Sequence, residues 1–222
     1  MPTQTAYIFC PSRILNKEKI KIPENKNISG DIFIAADSGI ETAVKLNITP
    51  DILIGDFDSL DLDKFDKHKI SENIKIIKYP AEKNDTDSML AVKYALELGY
   101  KNIAVIGGID GRTDHTLANL FLLKYIKNKG GSGYITNGYN KITYLENAKV
   151  KIYKEYKYIS VIPVSPEIRG VTLKGFKYPL DNAKVRIEEP YTVCNEIAKD
   201  SDCGEIAITA GGALICECDD MI

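Results

Sequence analysis

DIFIAADSGIETAVKLNITPDILIGDFDS (31–59) switches between two kinds of segment within one short stretch. DIFIAA is a run of Ile, Phe and Ala that suits a strand buried on both faces. GIETAVKLN repeats its apolar residues at the spacing of a helix, and DILI is a second buried run. Strand, helix and strand with short joints make a unit whose two strands lie parallel, with the helix crossing one face. Two acids one residue apart, Asp56 and Asp58, follow the second strand directly.

The alternation extends in both directions. AYIFC precedes the unit as a strand, and NIKIIKYP follows it as another. DTDSMLAVKYALELG then reads as a helix closed by Gly99, NIAVIGG as a strand, and HTLANLFLLKYIKNKG as a helix closed by Gly130. This predicts an α/β domain, a mainly parallel sheet with helices on both faces. After about Leu145 the pattern becomes KVKIYK, KYISVIPVS, GVTLKGF, KVRIEE, GEIAITA and ALICEC, separated by Gly, Pro, Asn and Asp. Six short strands without a helix predict a C-terminal all-β sandwich or barrel. The expected domains are 1–145 and 146–222, and GGSG (130–133) is the most linker-like spot.

Composition narrows the function classes. A formal charge of -2 gives no bulk positive field for nucleic acid or an anionic membrane. The opening MPTQTAYIFCPSR lacks the order of a secretory signal, and no run reaches the ~18 apolar residues of a membrane span, so the cytoplasm is the expected compartment. Five cysteines without a CxxC argue against a disulfide framework. Cys216-Glu217-Cys218 alternates like a strand and reads as buried reduced thiols before it reads as a zinc site.

The polar residues gather by position. Ligands of an open parallel sheet bind beyond the carboxyl ends of its strands. Asp37 follows DIFIAA, Asp56 and Asp58 follow DILI, Asp85 and Asp87 follow IKIIKYP, and Arg112, Asp114 and His115 follow NIAVIGG. If the chain stays extended through Asp56-Phe57-Asp58, both carboxylates point one way and form a hard oxygen pair suited to Mg²⁺. Singly these acids read as turn formers or caps, with Asp85 or Thr86 as the N-cap of the next helix. GGIDGRTDH (107–115) joins strand to helix through glycines, which suits backbone amides facing an anion, with Arg112 adding a forked contact. There is no GxxxxGK[ST], no GxGxxG opening the first helix and no GxSxG.

Taken in order, ADSG (36–39), PDILIGDFDS (50–59), EKNDTD (82–87), GGIDGRTDHTLANL (107–120), GVTLKGFKYPL and CNE (194–196) resemble the thiamine pyrophosphokinase family. The resemblance spans almost the whole chain. It implies a kinase-type transferase that moves a pyrophosphoryl group from MgATP to the hydroxyl of thiamine and releases AMP. It further implies a homodimer whose sites are shared between subunits. Carried over by motif, Asp56, Asp58 and Asp87 would hold Mg²⁺ and polyphosphate with Asp37 beside them. Thr86, Arg112, Asp114 and His115 would line the nucleotide and transfer site, with Asp58, Asp87 and Arg112 catalytic. Cys194 and Asn195 would face thiamine. Two departures stand out: Asn84 replaces the first acid of the family's Asp-x-Thr-Asp, and Cys194 replaces serine before the asparagine. Rival readings are a Mg²⁺-dependent phosphoryl or nucleotidyl transferase with another small alcohol as acceptor, or a nucleotide-binding regulatory protein.

Overall fold

The structure, a computed structural model, describes residues 4–23, 30–57, 74–80, 82 and 84–221. The chain divides into two compact units, Met1–Gly138 and Tyr139–Ile222.

In the first unit the strands are β1 (Thr5–Phe9), β2 (Ile32–Ala36), β3 (Ile52–Gly55), β4 (Lys75–Lys78), β5 (Asn102–Ile106) and β6 (Ser132–Thr136). Every pairing among them is parallel, in the order β4-β3-β2-β1-β5-β6. The helices are α1 (Gly39–Lys45), α2 (Asp87–Glu97) and α3 (Thr113–Asn128). Tyr7, Phe9, Phe33, Ala104 and Ile106 pack with Ala43 of α1 and Leu46 just past its end on one face of the sheet. Phe9 and Phe33 meet edge to face there, ring centroids 6.0 Å apart. On the opposite face Ile126 of α3 reaches over Gly133, whose register partner is Ile103. Helices therefore cover both faces, as the strand–helix alternation predicts, and the inner strands β1, β2, β3 and β5 are largely buried runs while the edge strand β4 is mostly exposed.

GGSG (130–133) is not a linker. Gly130 (φ +73°) follows the last residues of α3, and the next residues begin β6. A Cβ on Gly133 would stand 2.6 Å from the Ile103 carbonyl oxygen and 3.4 Å from Ile126 Cδ1. The glycine lets the helix lie directly on the strand, a use that composition does not distinguish from flexibility.

In the second unit β7 (Asn140–Glu146) precedes the six strands read from sequence: β8 (Lys149–Tyr153), β9 (Tyr158–Pro163), β10 (Glu167–Lys174), β11 (Leu180–Arg186), β12 (Cys203–Ala207) and β13 (Gly212–Cys218). Two antiparallel sheets, β11-β10-β12-β8 and β7-β13-β9, close over one core that includes Ile152, Val161, Ile168, Val171, Val185, Ile206 and Ile215. This is the expected all-β sandwich. Among the described residues no helix is long and apolar enough to cross a membrane.

Candidate active site

From β1 the chain steps outward to β2, β3 and β4, then returns to the other side of β1 for β5 and β6. Loops leaving neighbouring strands β1 and β5 consequently run apart, and the crevice between them is where an open parallel sheet binds ligands. A cleft of about 350 Å³ lies there. Ser12 and Arg13 line it from the loop after β1, and Asp110, Arg112 and His115 from the segment after β5. Glu41 and Lys45 of α1, Ser88 of α2 and Asn119 of α3 add to its walls. Of these, the sequence singled out Arg112 and His115. Arg13, Lys45 and Asp110 were not singled out, because single charged residues in loops carry no motif.

The segment after β5 is built for close approach. Gly107 and Gly108 both take positive φ, and a Cβ on Gly108 would lie 2.7 Å from Asn119 Nδ2. That amide donates to the Gly108 carbonyl at 2.8 Å, fixing the turn against α3. Arg112 stands just before α3 and forks onto Asp114, Nη2 to Oδ2 at 2.6 Å and Nε to Oδ1 at 3.1 Å. Arg112 and the backbone N–H of His115 together hold the Asp114 carboxyl down at about 2, so it is ionised at neutral pH. Both side chains are well exposed, and a phosphate oxygen can compete for the guanidinium at little cost.

The acids occupy the same carboxyl edge, on the β2 and β3 side. Ala36 pairs with Ile54, and the N–H of Asp37 donates to the Ile54 carbonyl at 2.7 Å. Asp37 therefore stands beside Gly55, and Asp56 follows one residue on. Asp87 opens α2, which packs on β1, β2 and β3, and its charge acts on Cys10 just past β1. Asp58 lies outside the described residues. Among the described residues no three His, Cys, Asp or Glu side chains are grouped to hold a metal ion.

Two details correct or refine the sequence reading. The chain does not stay extended after Asp56: Phe57 has φ +60°, a left-handed turn. Its ring packs against the cluster of Ala35, Ile40 and Leu53, and that burial offsets the cost of the turn. The strand geometry that aimed Asp56 and Asp58 in one direction is thus lost at Phe57. Of the two candidate caps of α2, Thr86 serves, its Oγ1 accepting from the Met89 N–H at 3.2 Å, worth about 1 kcal/mol. Asp85 instead pairs with Lys93 at 2.6 Å.

In the second unit Asn195 is buried, and its amide is committed to the protein. Oδ1 accepts from the N–H of Tyr178 (3.0 Å) and of Glu196 (2.9 Å), and Nδ2 donates to the Tyr178 carbonyl (2.8 Å). It borders a small pocket of about 110 Å³ with Tyr178, Tyr191 and Val193. Cys194, exposed and at φ +58°, donates its N–H to Ser160 Oγ at 3.0 Å and does not border that pocket.

Family models match both units, the thiamin pyrophosphokinase catalytic domain over residues 25–133 and the thiamin pyrophosphokinase vitamin B1 binding domain over residues 147–211. The chain belongs to the thiamine pyrophosphokinase family. A thiamine pyrophosphokinase of Bacillus subtilis (strain 168) is 32% identical over 169 residues, 75% of this chain and 78% of the relative. The crystal structure of Bacillus subtilis thiamine pyrophosphokinase superposes with a TM-score of 0.84 at 27% identity, covering 98% of this chain and all of that one (100%). The thiamin pyrophosphokinase of Geobacillus thermodenitrificans gives 0.79 at 26% identity, covering 98% and 97%.

The thiols of this family member separate by environment. All five cysteines are free, and only Cys194 is exposed. Burial pushes Cys10 up to about 11, helped by the charge of Asp87 and opposed by a hydrogen bond with Ser88. Burial pushes Cys216 up to about 12. Iodoacetamide at pH 8 is expected to label Cys194 and spare Cys10 and Cys216 until the chain unfolds, as read by peptide mass spectrometry. Labelling of Cys10 as fast as Cys194 would contradict this placement.

Proposed function

We propose that the cleft between β1 and β5 takes the triphosphate of ATP, and that this family member transfers the β,γ-pyrophosphoryl group to the hydroxyl of thiamine. The oxygen of that hydroxyl bonds to the β-phosphorus, the bond from the β-phosphorus to the oxygen bridging it to the α-phosphate breaks, and AMP leaves with that oxygen. The observation that carries the reading is the position of Arg13, Lys45 and Arg112 in a crevice at the topological switch point, with the acids on adjoining strand ends. Such a transfer asks the protein mainly to align the acceptor and to balance phosphate charge.

Mg²⁺ fits the donor set. Asp56 and Asp87 offer hard carboxylate oxygens at the carboxyl edge, and the family motif adds Asp58 to the set. Mg²⁺ uses one or two such ligands together with water and phosphate, so a preformed cage of three side chains is not required. When bound, it offsets charge on the polyphosphate. Arg112 offsets the remainder, His115 borders the nucleotide, Thr86 holds the start of α2 in place, and Asp37 stands beside the metal ligands. The hydroxyl proton passes to a carboxylate, Asp87 or Asp58. Thiamine binds through the second unit near Asn195 and Cys194, in a homodimer whose sites combine the first unit of one subunit with the second unit of its partner. Five free thiols suit a reducing compartment, the cytoplasm.

Incubation with ATP, Mg²⁺ and thiamine should give AMP and thiamine diphosphate in equal amounts, resolved by ion-pair chromatography. ADP with thiamine monophosphate, or nucleotide turnover that ignores thiamine, would overturn the reading.

A further inference from the structure

Asp110 does something unusual for an acid beside a polyphosphate cleft. Its Oδ2 accepts from Ser12 Oγ (3.0 Å), the Arg13 N–H (2.7 Å) and the Ile14 N–H (2.6 Å), residues nearly a hundred positions earlier in the chain. Two consecutive backbone amides and a buried hydroxyl thus converge on one carboxylate oxygen, so its charge is spent on the loop instead of facing an incoming anion. The same loop is tied twice more, by the Gly108 N–H donating to the Pro11 carbonyl (3.0 Å) and by Lys45 Nζ donating to the Ser12 carbonyl (3.0 Å). What these ties hold in place is Arg13, which lines the same cleft as Arg112 from the loop after β1.

The three cations of the cleft differ in their commitments. Arg112 forks onto Asp114, and Lys45 is engaged with the loop backbone. Among the described residues the Arg13 guanidinium has no protein partner, although the backbone carrying it is the most tightly fastened part of the loop. A fixed backbone presenting an uncommitted fork is the arrangement that recognises phosphate oxygens with little ordering cost. We infer that Arg13 is a polyphosphate-binding residue contacting the β- and γ-phosphates of the nucleotide, and that Asp110 is the positioning residue that aims it. This rests on the reading of the cleft as the nucleotide site.

The test is calorimetric binding of MgATP and of AMP to the full chain, alongside the turnover assay. Arg13→Met is expected to weaken MgATP binding about tenfold, the size of one charge-assisted contact, and to leave AMP binding within about twofold. Arg13→Lys should restore part of the loss, a point charge replacing a fork. Asp110→Ala should weaken MgATP severalfold, and the Arg13→Met/Asp110→Ala double variant should bind no worse than Arg13→Met alone, because the acid acts through the arginine. Arg13 is exposed, so its variants remain folded and decide the matter even where Asp110→Ala does not fold. MgATP affinity within twofold of the parent in Arg13→Met, or an equal loss for AMP, overturns the assignment of Arg13. Additive losses in the double variant overturn the role of Asp110. A parent that binds MgATP through Arg13 but forms no thiamine diphosphate would remove the pyrophosphoryl-transfer reading and leave this inference standing. A parent that binds no MgATP would remove both.

Discussion

Asp87→Asn is expected to lower turnover about a hundredfold or more, the usual scale for losing one group that stabilises transition-state charge, while the fold persists. Asp87 is the first residue of α2, and the cap beneath it is Thr86, which the substitution leaves intact. A carboxylate at a helix N-terminus contributes only about 0.3–1 kcal/mol to stability, and asparagine has the same shape. On the proposed reading the loss belongs to chemistry: the group proposed as metal ligand or proton acceptor becomes a neutral amide at the carboxyl edge that also carries Asp37 and Asp56. AMP release at saturating Mg²⁺ and thiamine, read beside the thermal midpoint, separates the two effects. A near-normal rate would remove Asp87 from the site, and a collapsed midpoint would recast it as a structural residue. The family resemblance gives Asp58→Asn the same expected outcome.

What the sequence conveyed and what it concealed follow from the range of the interactions. Buried strands such as DIFIAA and DILI, and helices closed at Gly99 and Gly130, are set by local periodicity and local stop signals, so they were legible. The placing of Arg112, Asp37 and Asp56 at one edge followed from a general property of parallel sheets. Phe57 defeated the extended reading because its turn depends on a ring finding Ile40 and Leu53, which neighbouring letters do not reveal. The Asp110 carboxylate fastening Ser12, Arg13 and Ile14 is a pairing across the topological switch point, and no spacing rule connects its partners. Gly133 looked like slack in the chain and proved to be a point of contact between α3 and β5.

Asn195 shows how a motif can identify a residue and leave its work undefined. Asn195→Ala would strip partners from the Tyr178 N–H, the Tyr178 carbonyl and the Glu196 N–H at once. A buried polar group left unsatisfied costs about 1–3 kcal/mol, and water reaches part of this exposed turn, so a loss of about 2–4 kcal/mol in unfolding free energy is expected. The paired backbone bonds between Asn195 and Ile159 (2.8 and 3.0 Å) need no side chain and survive, which confines the damage to the segment of Tyr178. Tyr178 and Tyr191 flank the small pocket, so if thiamine binds there as proposed, loosening that segment is expected to raise the thiamine KM and leave the ATP KM nearly unchanged. Asn195→Asp sharpens the test: it retains an acceptor for both N–H groups but sets a carboxylate oxygen against the Tyr178 carbonyl. If Asn195 works by holding the turn, urea midpoints should order as parent, Asp, Ala or parent, Ala, Asp, with thiamine KM rising in step. Unchanged midpoints with a raised thiamine KM would mean instead that its amide acts on the substrate directly.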